Sequence, residues 1–144
     1  MRKINATGLM RSIQGIKEVN RYIVRASFPV VIISDQLAKY VHINWLESYV
    51  LNYGISFGIR LSESNIVILA LLCIIFIIVF AFRKGFNIFV SLLLAGAISN
   101  LCDRLYYGAV IDYINFFGIL WINLADISIS TAIIGIFITT WKKL

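Results

Sequence analysis

The sequence predicts an all-α integral membrane protein: four transmembrane helices, N and C termini cytoplasmic, and an extracytoplasmic loop that carries strand. Three observations lead there. The 144 residues are 60% hydrophobic with a mean hydropathy of +0.90, too apolar for a soluble domain. Apolar runs of near-bilayer length recur along the chain. With four spans, ten of the thirteen Lys and Arg residues fall on one side of the membrane, which the positive-inside rule makes the cytoplasm. A single membrane domain, 1–144, accounts for the chain, which has no linker, low-complexity tract or internal repeat. In a soluble protein the net charge of +6 would suggest nucleic acid. Here the basic residues sit at segment ends, so topology explains them and no nucleic-acid partner is expected.

Residues 1–21 carry Arg2, Lys3, Arg11, Lys17 and Arg21. Leu9 or Met10, Ile13, Ile16, Val19 and Ile23 recur at steps of three or four, the pattern of a basic amphipathic helix on an anionic leaflet. A cleaved signal peptide fits less well: the basic region is too long, and no A-x-A site follows a clean apolar core. The first span covers about 22–41, broken by Pro29 and ending in SDQLAK. An external loop follows, 42–65. From Leu51 to Leu61 it alternates between Leu51, Tyr53, Ile55, Phe57, Ile59, Leu61 and Asn52, Gly54, Ser56, Gly58, Arg60, the period of a half-buried strand. Such a strand can offer its backbone to an extended peptide. The second span, about 66–82, has no charge and closes on Arg83–Lys84; flanking side chains can snorkel to complete it. The third covers about 86–102 and the fourth about 119–141, closed by Lys142–Lys143.

This topology puts every acid except Glu18 on the external side. Trp45, Tyr49, Tyr53, Tyr106, Tyr107 and Trp121 mark the same interface, where amphipathic rings prefer to sit. Carboxylates near hydrocarbon are costly unless neutralised, hydrated or paired, and so point to function. On the third helix Gly96, Asn100 and Asp103 form one stripe, with Arg104 four residues after Asn100. On the fourth, Asn123, Asp126 and Ser130 form another. Asp126 is expected about two turns inside its span, on the order of 10 Å from the external end, with Asp112 on the loop returning toward it.

Two carboxylates sharing a site cannot both ionise cheaply, so one keeps a proton while the other accepts one. That division suits peptide hydrolysis, and Asp112 with Asp126 is the candidate dyad. The competing assignment is structural: Asp103–Arg104 an interfacial ion pair, Asp112 a solvated acid, Asp126 a partner for Arg104. Asp35 and Lys39, spaced i, i+4, can neutralise each other as a clamp or grip substrate. Cys102 lacks a neighbouring base, Cys73 and Cys102 have no metal-ligand spacing, and His42 is expected at the interface.

Four blocks carry a resemblance: DQLAK at Asp35–Lys39, NYGISFG at Asn52–Gly58, GAISNLCDRLYYGAVIDY at Gly96–Tyr113, and NLAD at Asn123–Asp126. In their order and spacing they resemble the bacterial lipoprotein signal peptidases, or signal peptidase II, over nearly everything after about residue 28. The resemblance implies an aspartic endopeptidase of the inner membrane, with its active site on the extracytoplasmic side and a small extracytoplasmic β-cradle. Such an enzyme removes the signal peptide of a prolipoprotein, cleaving before the diacylglyceryl-modified cysteine. It implies Asp112 and Asp126 as the catalytic pair. Asp35, Lys39, Asn52, Gly54, Asn100, Arg104 and Asn123 fall on the family's other functional positions, binding substrate or supporting the dyad.

No metal or cofactor is implied. The partners implied are the diacylglyceryl-prolipoprotein, membrane lipid and a globomycin-type inhibitor, and the protein is expected to act as a monomer. Departures from the family pattern are mild: Ser56 for alanine, Ser99 for glycine, and Tyr113 and Ile122 for phenylalanine. Ser99 is expected to alter how closely the third helix packs on a neighbour. The alternative function is a small proton-coupled transporter or channel subunit with Asp35, Lys39 and Asp126 as relay groups. Against it, the acids gather at one face and no inverted repeat is visible.

Overall fold

The computed structural model describes residues 6–54 and 62–142. Arg2, Lys3 and Lys143, and most of the alternating stretch (Ile55–Leu61, with Ser56, Phe57, Gly58 and Arg60), lie outside the described residues. Four long helices dominate: α1 (Ala6–Val41), α2 (Glu63–Lys84), α3 (Ile88–Tyr107) and α4 (Leu124–Trp141). Three of them are long and apolar enough to cross a membrane, over Glu63–Arg83, Ile88–Tyr107 and Leu124–Trp141. α1 differs because Arg25, Asp35 and Lys39 interrupt its apolar half.

α1 is a single 36-residue helix that runs through Pro29, so the expected break there does not occur. A proline removes one backbone donor, which here frees the carbonyl of Arg25, four residues earlier, without ending the helix. One turn before the proline, the Ser27 and Ser91 hydroxyls both donate to the Val24 carbonyl, at 2.9 Å and 3.0 Å. This cluster and the polar contacts of Gln36 and Lys39 tie α1 to α3 in parallel, with Ser27 beside Ser91 and Gln36 beside Ser99. α1 continues into a π-helical turn, His42–Leu46, which Glu47 ends in the left-handed region at φ 49°.

α3 and α4 are antiparallel. A Cβ on Gly96 would stand 2.6 Å from the Ala125 carbonyl oxygen and 2.7 Å from Ile129. Only hydrogen fits there, and the close approach brings the start of α4 against the middle of α3. Lower down, Ser128 Oγ donates to the Leu92 carbonyl at 2.9 Å.

The predicted cradle exists as two small antiparallel ribbons. β1 (Val50–Asn52) pairs with β2 (Val110–Asp112), Leu51 opposite Ile111. β3 (Ile114–Phe116) pairs with β4 (Leu120–Ile122), Asn115 opposite Trp121. The strand expected over Leu51–Leu61 is shorter within the described residues, since Tyr53 and Gly54 already lie outside β1. The fourth span also begins later than Ile119. Residues 114–122 form a hairpin, turned by Phe117 and Gly118 at φ 53° and 73°. Ile119 N donates to the Phe116 carbonyl at 3.1 Å, and Asn115 Oδ1 accepts from Gly118 N at 2.7 Å. Its apolar residues mimic membrane-spanning sequence, but positive φ at two successive positions selects the hairpin turn.

Candidate active site

Asn123 organises the polar end of the bundle. As the N-cap of α4, its Oδ1 accepts from Asp126 N at 2.8 Å, while Asn123 N donates to Asp126 Oδ2 at 3.3 Å. This reciprocal capping box leaves the Asn123 amide nitrogen pointing back toward β2. Asn123 Nδ2 donates to Asp112 Oδ1 at 2.7 Å and reaches Asn100 Oδ1 at 3.2 Å and the Ile111 carbonyl at 3.3 Å. One residue therefore holds both candidate carboxylates. Asp126 accordingly sits in the first turn of α4, not the two turns inside a span that the sequence suggested.

Each carboxylate has a second amide. Asn100 Nδ2 donates to Asp126 Oδ1 at 2.8 Å. Asn52 Nδ2 donates to Asp112 Oδ2 at 3.0 Å, and Gly54 N fixes the Asn52 amide by donating to its Oδ1 at 3.1 Å. Asp112 is almost wholly buried. Burial pushes its carboxyl up to about 6, the nearby Asp126 adds to the rise, and the Asn52 and Asn123 hydrogen bonds oppose it.

Beneath this pair lies a second polar layer, also buried. Lys39 Nζ lies 2.6 Å from Asp35 and 2.6 Å from Asp103, and donates to Asn100 Oδ1 at 3.3 Å. The clamp expected between Asp35 and Lys39 forms, but as part of a triad. Asp103 also accepts from Gln36 Nε2 at 2.9 Å and from Ile111 N at 3.2 Å. It thereby ties the strand that carries Asp112 to α1 and α3. Asp35 accepts from Ser99 Oγ at 2.7 Å, Tyr113 OH at 3.2 Å and Ala125 N at 3.2 Å. The Tyr113 hydroxyl in turn accepts from Leu124 N at 3.2 Å. Burial and the adjacent Asp35 raise the Tyr113 phenol above its ordinary value, and its ring stacks on His42 with centroids 4.8 Å apart. No buried side-chain nitrogen or oxygen among the described residues lacks a partner.

Asp35, Lys39, Asn52, Gly54, Asn100, Asp112, Asn123 and Asp126 thus converge. Arg104 reaches the edge of the group, where its Nη1 donates to the Asn100 carbonyl at 3.4 Å. Among the described residues no carboxylate lies within ion-pair distance of it, so the Asp103–Arg104 and Arg104–Asp126 pairs do not form. Ser99 joins the Asp35 network through its hydroxyl. Gln36, Ser99, Asp103 and Tyr113 were not singled out as site residues from sequence. For Asp103 the signal was present: a charge one turn beyond Asn100 on the same stripe.

Asp126, Asn52, Gly54, Asn100, Arg104 and Ser130 line a cavity of about 660 Å³. Its remaining wall is mostly apolar, from α2 (Ile66, Leu69, Ala70, Cys73) and from β4 (Leu120, Trp121, Ile122). Such a space accepts an apolar segment and presents amides, a guanidinium and a carboxylate at one end. The acids occupy that end of the bundle and do not form a path through it, unlike the relay expected of a proton-coupled carrier.

A family model described as "Signal peptidase (SPase) II" matches residues 27–142. The lipoprotein signal peptidase of Wigglesworthia glossinidia brevipalpis is 37% identical over 67% of this chain and 69% of its own length. That of Thermodesulfovibrio yellowstonii is 34% identical over 85% of this chain and 95% of its own. A solved bacterial membrane enzyme, determined by the in meso method at 2.3 Å resolution, superposes with a TM-score of 0.73. It is 26% identical and covers 83% of this chain and 87% of that one.

Proposed function

This chain belongs to the signal peptidase II family and removes signal peptides from prolipoproteins, and we propose that it does so as an aspartic endopeptidase with Asp112 and Asp126 as its catalytic pair. The observation that carries this assignment is the shared anchor. Asn123 bonds both carboxylates, and Asp126 faces a cavity whose wall is otherwise largely apolar.

One carboxyl of the pair holds a proton while the other accepts one from a water seated between them. The activated water attacks the scissile carbonyl, and the protonated member hydrogen-bonds the carbonyl oxygen as charge builds there. The same proton then passes to the departing amine, restoring a singly protonated pair. The protons belong to the pair, so the two macroscopic pKa values are not divided between the residues. Asn52, Asn100 and Asn123 hold the carboxylates in register, Gly54 N fixes the Asn52 amide, and Arg104 at the cavity edge offers donors to the substrate backbone. The apolar walls grip the signal segment, so binding far from the scissile bond positions it for attack.

The first span is the 22–41 half of α1, whose Asp35 and Lys39 neutralise each other against α3. Its parallel course beside α3 makes a four-span bundle with both ends cytoplasmic in the inner membrane. The paired acids then lie at the extracytoplasmic face, beside the diacylglyceryl group of the precursor. Cleavage falls before the modified cysteine, and a globomycin-type cyclic peptide competes for the cavity of a monomeric enzyme.

The test uses purified protein in lipid with a diacylglyceryl-prolipoprotein, identifying the released peptide by mass. Asp112→Asn and Asp126→Asn should each abolish release while the protein still folds, read as a cooperative melting transition. Activity retained in either variant removes the dyad assignment. Equal cleavage of the unlipidated precursor removes the lipid requirement.

A further inference from the structure

The family match begins at residue 27, yet α1 begins at Ala6 and runs unbroken into the matched region. About six turns of helix therefore precede the matched region. They are amphipathic in a defined direction. A step of seven residues returns to within about 20° of the same helix face. Ile16, Ile23, Val30 and Leu37 follow that step, and they are 69%, 54%, 58% and 60% exposed. The apolar stripe of the extension is thus continuous with the outward, lipid-facing side of α1 in the bundle. The basic residues lie on the other side. Arg21 is fourteen residues before buried Asp35, Arg25 fourteen before buried Lys39, and Lys17 seven before buried Val24. Their stripe is in line with the bundle-facing side.

We propose that the extension, residues 6–21, is a docking helix for the anionic lipid of the cytoplasmic leaflet. The phase of its stripes sets how it seats. A bend at the membrane boundary, near residues 22–27, turned away from the bundle rotates the outward stripe to face the bilayer. Ile13, Ile16, Val19 and Ile23 then enter the acyl boundary. Arg11 and Lys17 flank the apolar arc and reach the phosphates, Arg21 lies within a Debye length of them, and Glu18 is the one opposing charge within residues 6–21. A second copy of the chain is the weaker fit for this surface. It would bring the same cationic stripe, and the apolar arc is wider than the narrow seam of a coiled coil.

The full chain would be labelled with a nitroxide at Ile16→Cys or, on the opposite face, Gln14→Cys, in a Cys73→Ser, Cys102→Ser background. Collision with oxygen and with a water-soluble nickel chelate would be measured in two kinds of vesicle. In phosphatidylcholine mixed with phosphatidylglycerol, the Ile16 label should be several-fold more accessible to oxygen than to nickel, and the Gln14 label the reverse. In phosphatidylcholine alone, or with Lys17→Glu and Arg21→Glu together, the Ile16 preference should be lost. Both labels equally open to nickel in the anionic vesicles overturns the proposal. So does an Ile16 preference that is unchanged without anionic lipid. Concentration-dependent spin–spin broadening at Ile16 overturns it in favour of a second copy.

Discussion

Asp112 and Asp103 show how little of a side chain's role its own type decides. Both are buried acids near the same end of α3, yet one is held by amides beside a like charge while the other is ion-paired with a lysine. The rise of the Asp112 carboxyl to about 6 has a definite sign in stability. Its ordinary value is lower, so the folded state holds the proton more tightly than the unfolded chain. The stabilisation linked to that proton is complete at low pH and is lost as pH rises through about 6. Wild-type stability, relative to Asp112→Asn, should therefore decline between about pH 4 and 6 and level off above. A denaturation series in detergent across that range checks it, and a flat difference would contradict the burial account. Asp103→Asn should act differently. It leaves Lys39 with one carboxylate and gives Ile111 N a competitor for the remaining oxygen. Breaking a buried pair in this way costs on the order of 3 kcal/mol, read as a lower melting midpoint. Cleavage should fall further than the midpoint alone explains, because β2 loses the bond that positions Asp112.

At the scale of elements, the site depends on the contact between α3 and α4. Gly96 sits where a Cβ would strike the Ala125 carbonyl, one residue before Asp126. Gly96→Ala should displace the first turn of α4 and weaken the Asn100–Asp126 bond. The expected outcome is a fall in kcat of about tenfold or more, consistent with the sensitivity of positioned groups to displacements near 1 Å, with little change in secondary structure by circular dichroism. An unchanged kcat would show that α4 can shift without disturbing the pair. The elements themselves were legible to different degrees. α2 follows from an uninterrupted apolar run ended by Arg83–Lys84, whereas α3 runs past the expected end near residue 102, through Asp103 and Arg104, to Gly108, a C-cap at φ 72°. The hairpin at 114–122 was not legible, because Ile119, Leu120, Trp121 and Ile122 read as the start of the fourth span. Its turn requires a phenylalanine at φ 53°, a conformation that composition does not announce. Pro29 misled in the opposite direction: a helix breaker by its chemistry, it lies on the exposed side of a helix whose flanking residues Ser27 and Gln36 are bonded to α3.

For the molecule as a whole, hydropathy and the distribution of charge described a bundle, and the polar residues marked one end of it. The pairings within that end depended on which helix lies beside which. No spacing rule joins Asp35 to Ser99, or Asn100 to Asp126, across sixty-four and twenty-six positions. The cavity is likewise a property of several elements together, with walls from α2, α3, α4 and the strands. Cys73 is on that wall and Cys102 is absent from it, though both are exposed. A maleimide adduct at Cys73 should block cleavage, and Cys73→Ala should keep cleavage and resist the reagent. A globomycin-type inhibitor should slow the labelling of Cys73 and leave that of Cys102 unchanged. Inhibition that persists in Cys73→Ala would place the substrate elsewhere.

The lysine held between Asp35 and Asp103 also bears on how the chain is made. In the four-span arrangement proposed above, α1 enters the bilayer with its own counter-ion one turn away, so its charge is already paired. α3 emerges later carrying Asp103, and the cation that pairs with it is Lys39 of the earlier helix. Synthesis in this order lets each newcomer be neutralised on arrival, whereas a chain delivered without its first helix would leave a bare carboxylate in oil and invite disposal.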